Sequence, residues 1–168
     1  MQIDLLADRP EFVHALAEWH HAEWAYLRPG ETLGGRISRI KAACGRREPS
    51  VTFIATDGDE LLGSAMLLAH DLDTRPEWSP WLAGVFTAPH FRRRGIATRL
   101  SRHVVAHAAD IGYARLYLYT PNAETFYARL GWISFEHATF NGADITLMSH
   151  DEAPNTDVTL AVRTRNRS

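Results

Sequence analysis

Phe91-Arg92-Arg93-Arg94-Gly95-Ile96-Ala97-Thr98 is the stretch whose reading decides the fold. Before it, Trp81 to Thr87 is a short apolar run that reads as a strand. After it, Ile96, Leu100, Val104, Ala108 and Ile111 recur every three or four residues, with Arg99, Arg102 and Asp110 off that stripe. This spacing predicts an amphipathic helix over Gly95 to Asp110. Arg115 to Thr120 reads as the next strand. Strand, helix and strand in that order form a βαβ unit, which requires a parallel pair joined by a right-handed crossover.

The loop within that unit is suited to an anion. A helix start leaves amide N–H groups unpaired, with partial positive charge pointing outward, so a phosphate or pyrophosphate can settle there. Gly95 has no side chain and Ala97 nearly none, which lets a bulky anion reach the backbone.

Working outward, the N-terminal half begins with residues 10 to 24, where Phe12, Ala15, Leu16 and Trp19 keep helical spacing behind Pro10. A second helix is expected over Glu31 to Cys44, with Leu33, Ile37 and Ile40 on one face and Gly45 at its end. Val51 to Ala55 and Leu61 to Leu68 flank Asp57-Gly58-Asp59, a hairpin signal that makes them an antiparallel pair. On the other side, Asn122 to Leu130 reads as a short helix, and Trp132 to His137 and Ala143 to Ser149 as two more strands. The predicted fold is α/β of the α+β type, with a mixed, mostly antiparallel central sheet. Residues 1–150 are read as one domain and 151–168 as a tail or an added edge strand, since Pro154-Asn155 breaks the chain and Val158, Leu160 and Val162 alternate. The sharper alternative is an arm that swaps into a second copy, giving a homodimer.

Arg92-x-x-Gly95-x-Ala97 after Val85-Phe86-Thr87 resembles the acyl-CoA motif of the GNAT acetyltransferase superfamily. Arg115 to Thr120, then Asn122 to Trp132 with its Tyr-x-x-x-Gly-aromatic ending, resemble that family too, and the likeness spans Val51 to Met148. Neither the dinucleotide fingerprint nor the Walker pattern occurs. The resemblance implies a GNAT-like acyl-CoA N-acyltransferase fold and acetyl-CoA as co-substrate. It implies that Val85, Phe86 and Thr87 lie along the pantetheine arm, which pairs with the strand as an extra one would. Backbone amides of Arg93, Arg94, Gly95, Ile96, Ala97 and Thr98 would take the pyrophosphate. An arginine side chain such as Arg92 would reach a phosphate, and Asn122 would steady the cofactor beyond the next strand.

Acetyl transfer needs a neutral amine to attack the thioester and a proton for the departing thiolate. A thiol ionises near pH 8.5 and a tyrosine near 10, so a tyrosine hydroxyl stays protonated at neutral pH and can supply the sulfur. Tyr127 takes that general-acid role, set off the Phe126/Leu130 apolar pair. The base is less determined. Many family members keep a glutamate on the strand before the cofactor loop, and Trp81-Leu82-Ala83-Gly84 has none. Asp71, Asp73, Glu77, Glu23, His20 and His21 are the candidates, with Glu77 the choice among them; a water chain is the alternative.

Composition sets the remaining expectations. Lys plus Arg total 18 against 20 acidic residues, a net charge of −2, which does not suit a dedicated nucleic-acid binder. Cys44 is the single cysteine, so no internal disulfide forms and a reducing, cytoplasmic setting is expected. The N-terminus has no basic start or long apolar stretch, so neither secretion nor membrane insertion is expected. His103 and His107 have i, i+4 metal-ligand spacing without a companion motif, and no metal is expected. The function read from the chain is an N-acetyltransferase acting on a small-molecule amine or a peptide amino group. The alternative is an acyl-CoA-binding sensor without turnover.

Overall fold

The structure is a computed structural model that describes residues 1–152. Seven strands form one sheet in the order β1-β2-β3-β4-β5-β7-β6. They are β1 (Gln2–Leu5), β2 (Val51–Asp57), β3 (Glu60–Leu68), β4 (Trp81–Thr87), β5 (Arg115–Thr120), β6 (Ile133–Phe140) and β7 (Ala143–Asp151). Every neighbouring pair is antiparallel except β4 and β5. The helices are α1 (Val13–Trp24), α2 (Leu33–Ala42), α3 (Ile96–Asp110) and α4 (Glu124–Arg129). The mixed, mostly antiparallel sheet matches the sequence reading.

The periodic α3 face does what its spacing predicts: Ile96, Leu100, Val104 and Ala108 are buried and pack with Leu62, Leu67, Leu82 and Leu116. A lone helix of this length is marginal in water, so that burial is what holds α3 in place. α1 and α2 form a separate layer, where Leu16, Ala17 and Ile40 close over Leu6 and Ile54. Thr32 starts α2 by accepting the Gly35 amide at 3.0 Å.

Three details depart from the sequence reading. β1 is an added edge strand, pairing Gln2–Leu5 with Phe53–Thr56; four residues are too few to show a period. On α2 the buried side chains are Arg36 and Ile40, so an arginine occupies a place on the face expected to be apolar. Trp132 precedes β6, buried among the core that includes Tyr127 and Met148. The expected 151–168 tail lies outside the described residues except for Asp151 and Glu152. Asp151 ends β7 and takes Arg115 Nε at 2.5 Å and Nη2 at 2.9 Å.

The central irregularity lies in β4. Ser64 faces Phe86 and Met66 faces Ala83, so two residues, Gly84 and Val85, stand opposite Ala65. That is a β-bulge. Gly84 has φ +55°, and a Cβ there would sit 2.5 Å from Met66 Sδ and 3.0 Å from His20 Cε1, so glycine is required twice over. β4 and β5 meet in one bridge only, Trp81 to Tyr117, and part beyond it.

Candidate active site

A cavity of about 690 Å³ occupies the parting between β4 and β5, within the size range of small-molecule and cofactor sites. Its first half is walled by Val85, Phe86 and Thr87 of β4 and by Arg92, Arg93, Gly95, Ile96, Ala97 and Thr98 of the loop and α3 start. Asn122, Phe126 and Tyr127 close it from beyond β5. Two expected site residues stand elsewhere. Arg94 does not line the cavity; its guanidinium lies 5.5 Å above the Phe91 ring.

Glu77 is exposed and outside the lining as well. The loop that carries it is anchored inward by Leu72, by Pro80 and by Trp78, whose ring stacks on Tyr117 at 5.4 Å. Arg75 pairs with Glu136. Those anchors leave Glu77 facing solvent.

The loop owes its shape to two left-handed residues, Arg93 at φ 61° and Gly95 at φ 75°. Such alternation gathers successive amides into a concave anion cradle, which here opens on the α3 N-terminus. A Cβ on Gly95 would meet nothing within 4 Å, so that position faces open space. Arg92 Nε donates to Thr87 O at 3.0 Å, tying the loop to the end of β4. Thr87 Oγ1 is buried and has no partner. Thr120 Oγ1 accepts the Ala123 amide at 2.9 Å and fixes the turn that presents Asn122. Together these give a donor-rich channel that fits an extended, doubly charged phosphate ligand.

Tyr127 is 9% exposed, its ring edge-on to Phe126 at 4.9 Å and Trp132 at 6.2 Å. Burial raises its hydroxyl above the ordinary tyrosine range, so it holds its proton at neutral pH.

Under the bulge, the fully buried His20 shares a 2.9 Å hydrogen bond from Nε2 to Ser64 Oγ, and Ser64 donates to Gly84 O at 2.8 Å. Since the serine proton goes to the carbonyl, the imidazole must be the donor in the first bond. Burial, with Arg36 and Arg39 nearby, lowers His20 from 6.5 to about 3, so it is neutral. Trp24 and Phe86 pack on its ring at 4.9 and 6.2 Å.

The second half of the cavity is walled by α1, α2 and the segment after β3. Glu23, Trp24, Arg28, Arg36, Arg39, His70, Asp71 and Tyr119 line it. Asp71 is the carboxylate most enclosed there, 12% exposed at its side chain. Burial raises it from 3.8 to about 6, outweighing the pull of Arg28, Arg39 and Arg36. Of the sequence candidates for a base, Asp71, Glu23 and His20 face the cavity, and Asp73, Glu77 and His21 do not. The arginine trio is absent from the sequence reading, although Arg36 signals itself by standing between Leu33 and Ile40 at i+3 and i+4 spacing.

The acetyltransferase (GNAT) family profile matches residues 13–132. The chain belongs to the GNAT acetyltransferase family. Solved structures share its fold at low identity. An aminoglycoside 6'-acetyltransferase type Ii aligns at TM-score 0.71 and 18% identity, over 92% of this chain and 99% of its own. An aminoglycoside 6'-N-acetyltransferase complexed with coenzyme A aligns at TM-score 0.72 and 15% identity, over the same 92% and 99%. An acetyltransferase from Streptococcus agalactiae aligns at TM-score 0.68 and 17% identity, over 90% of this chain and 98% of that one. No curated protein matches the chain by sequence. As a GNAT acetyltransferase, the chain places its family motif along the first half of the cavity, the part bounded by β4, the loop and α3. His103 and His107 of this GNAT chain pack on Phe53 at 4.7 and 5.0 Å, and His107 Nε2 lies 2.7 Å from Arg47 O. No described helix is long and apolar enough to cross a membrane.

Proposed function

We propose that this protein transfers an acetyl group from acetyl-CoA directly to an amine. The observation that carries the proposal is one continuous cavity in which a phosphate-suited cradle at residues 92–98 leads to Tyr127 and Asp71. Acetyl-CoA supplies the activated acetyl thioester. The amides of the Arg93–Thr98 loop hold the pyrophosphate, and Arg92 and Arg93 offset its charge. Val85 and Thr87 pair with the pantetheine arm along the free edge of β4, and the orphaned Thr87 Oγ1 gains a partner. Asn122 steadies the far side of the arm.

Asp71 takes the proton that the acceptor amine must lose before or as it bonds to the acetyl carbon. Its raised pKa keeps it ionised at neutral pH yet makes it a better base than an ordinary aspartate. Tyr127 gives its hydroxyl proton to the sulfur as the carbon–sulfur bond breaks, and regains one from solvent. The products are an N-acetyl amide and free CoA. The His20–Ser64 pair holds the Gly84 carbonyl, which keeps the bulge in register beside the reacting carbon.

Calorimetric titration with acetyl-CoA, followed by thiol release in the presence of amines, tests this. One-to-one binding that Gly95→Val weakens, with amine-dependent release, is the expected result. No binding by the folded protein overturns the reading. Binding without release for any amine would make the protein an acyl-CoA sensor, which the enclosure of both Tyr127 and Asp71 in one cavity disfavours.

A further inference from the structure

The acceptor half of the cavity is built around three arginines, Arg28, Arg36 and Arg39. Arg36 and Arg39 stand on α2, and Arg28 follows α1. Glu31 accepts from Arg39 Nη1 at 2.9 Å and lies 2.7 Å from Arg36 Nη2. Arg28 Nη2 donates to Asp71 O at 3.0 Å and stands 3.9 Å from the Asp71 carboxylate.

Arg36 is the telling member. Its side chain is only 8% exposed yet lines the cavity, with Nη2 turned inward onto Glu31 at 2.7 Å. Three guanidiniums, Arg28, Arg36 and Arg39, on one cavity wall suit a planar acceptor with two oxygens. Asp71 feels the field of both Arg36 and Arg39, and all three line the same half of the cavity, so a place for a cation and a place for an anion lie side by side in it. A polycationic acceptor would have to set several ammonium groups among three guanidiniums, at a repulsive cost.

We propose that the acceptor is a small amine that also bears a carboxylate, an amino-acid-like zwitterion whose amine meets Asp71 and whose carboxylate is clamped by Arg36 and Arg39. This rests on the acetyl-transfer reading. Glu31 then serves as the brace that orients both arginines from behind, and Arg28 keeps Asp71 in position.

The test uses the full chain with acetyl-CoA and a panel of probes: the proteinogenic amino acids as free acids, the same compounds as C-terminal amides, spermidine, and kanamycin. Thiol release gives kcat/KM for each. At least one free acid is expected to exceed its own amide, spermidine and kanamycin by about tenfold or more, because a site built for a polar group rejects the analogue that lacks it. Arg36→Gln is expected to collapse the acid-to-amide ratio toward one while the acetyl-CoA dissociation constant holds. Arg39→Gln, at a side chain 38% exposed, gives the same readout should the Arg36 variant fail to fold. Equal turnover of acids and amides, preference for spermidine or kanamycin, or no turnover of any free acid overturns the acceptor class. If acetyl-CoA itself does not bind, the transferase reading falls first, and calorimetry separates that failure from the others.

Discussion

The two halves of the cavity are made of different material. Around residues 84–98 the wall takes its shape from the backbone: a bulge at Gly84, a left-handed turn at Arg93 and Gly95, and the open amides of the α3 start. Around α1 and α2 it is charged side chain: Arg28, Arg36 and Arg39 beside Asp71 and Glu23, three cations to two anions. The lesson is about tolerance. A backbone cradle accepts sequence change so long as its glycines and its helix remain, so one co-substrate can be kept while the charged half is rewritten for a new acceptor. Substitutions in the first half should therefore change acetyl-CoA affinity, and those in the second the use of the acceptor.

The sharpest way to break that division is at Tyr127, which closes the first half from beyond β5. Tyr127→Phe is expected to lower kcat about 10²–10⁴-fold, the usual worth of a positioned acid, with acetyl-CoA affinity unchanged in calorimetry. A fall in affinity equal to the fall in rate would make the residue packing alone. Asp71→Asn comes next, with kcat/KM for the acceptor down about 10²-fold. A base at Asp71 must be ionised to accept a proton, and burial pushes that carboxyl up to about 6, so the wild-type rate is expected to climb as pH rises through about 6. Stopped assays from pH 5 to 8 should show that limb in the wild type and not in Asp71→Asn.

Gly95→Val probes the backbone half, since it forces a β-branched residue to φ +75° and puts its side chain in the ligand's space. Acetyl-CoA should bind about tenfold more weakly or worse, read by calorimetry. Ser64→Ala should cost about 1–3 kcal/mol in urea unfolding, as His20 loses its partner in the core. His20 adds a pH signature. Its pKa is depressed in the fold, so its contribution to stability is whole above pH 6.5 and drains away as pH falls toward 3. Urea midpoints at pH 7 and 5 should separate accordingly. Glu77→Gln should leave all these quantities where they were.

The same division explains what was legible in the sequence. The βαβ unit, the hairpin at Gly58 and the loop at 91–98 are encoded locally, by periodicity and by glycines at special backbone angles, and they stand where the spacing puts them. Ten of the eleven cofactor-site residues named from sequence line the cavity for the same reason. The second half is assembled from α1, α2 and the loop after β3, distant in sequence, and its members are ordinary charged residues whose surroundings depend on who faces whom. Glu77 and Asp71 are six residues apart with similar chemistry. Only the inward anchoring of Leu72, Trp78 and Pro80 decides that one is enclosed and the other is not. β1 was illegible for a different reason, being a strand made by the partner it pairs with.

The single bridge between Trp81 and Tyr117 has a mechanical meaning. The sheet is two plates, β1–β4 and β5–β7, hinged near one end and pried apart at the other. A ligand that pairs with the β4 edge on one side and reaches Asn122 on the other acts as a splint between them. At a hundred times its dissociation constant such a ligand would add about 2.7 kcal/mol of stability, and the amides along the parted edges of β4 and β5 would be the ones whose exchange with solvent slows most.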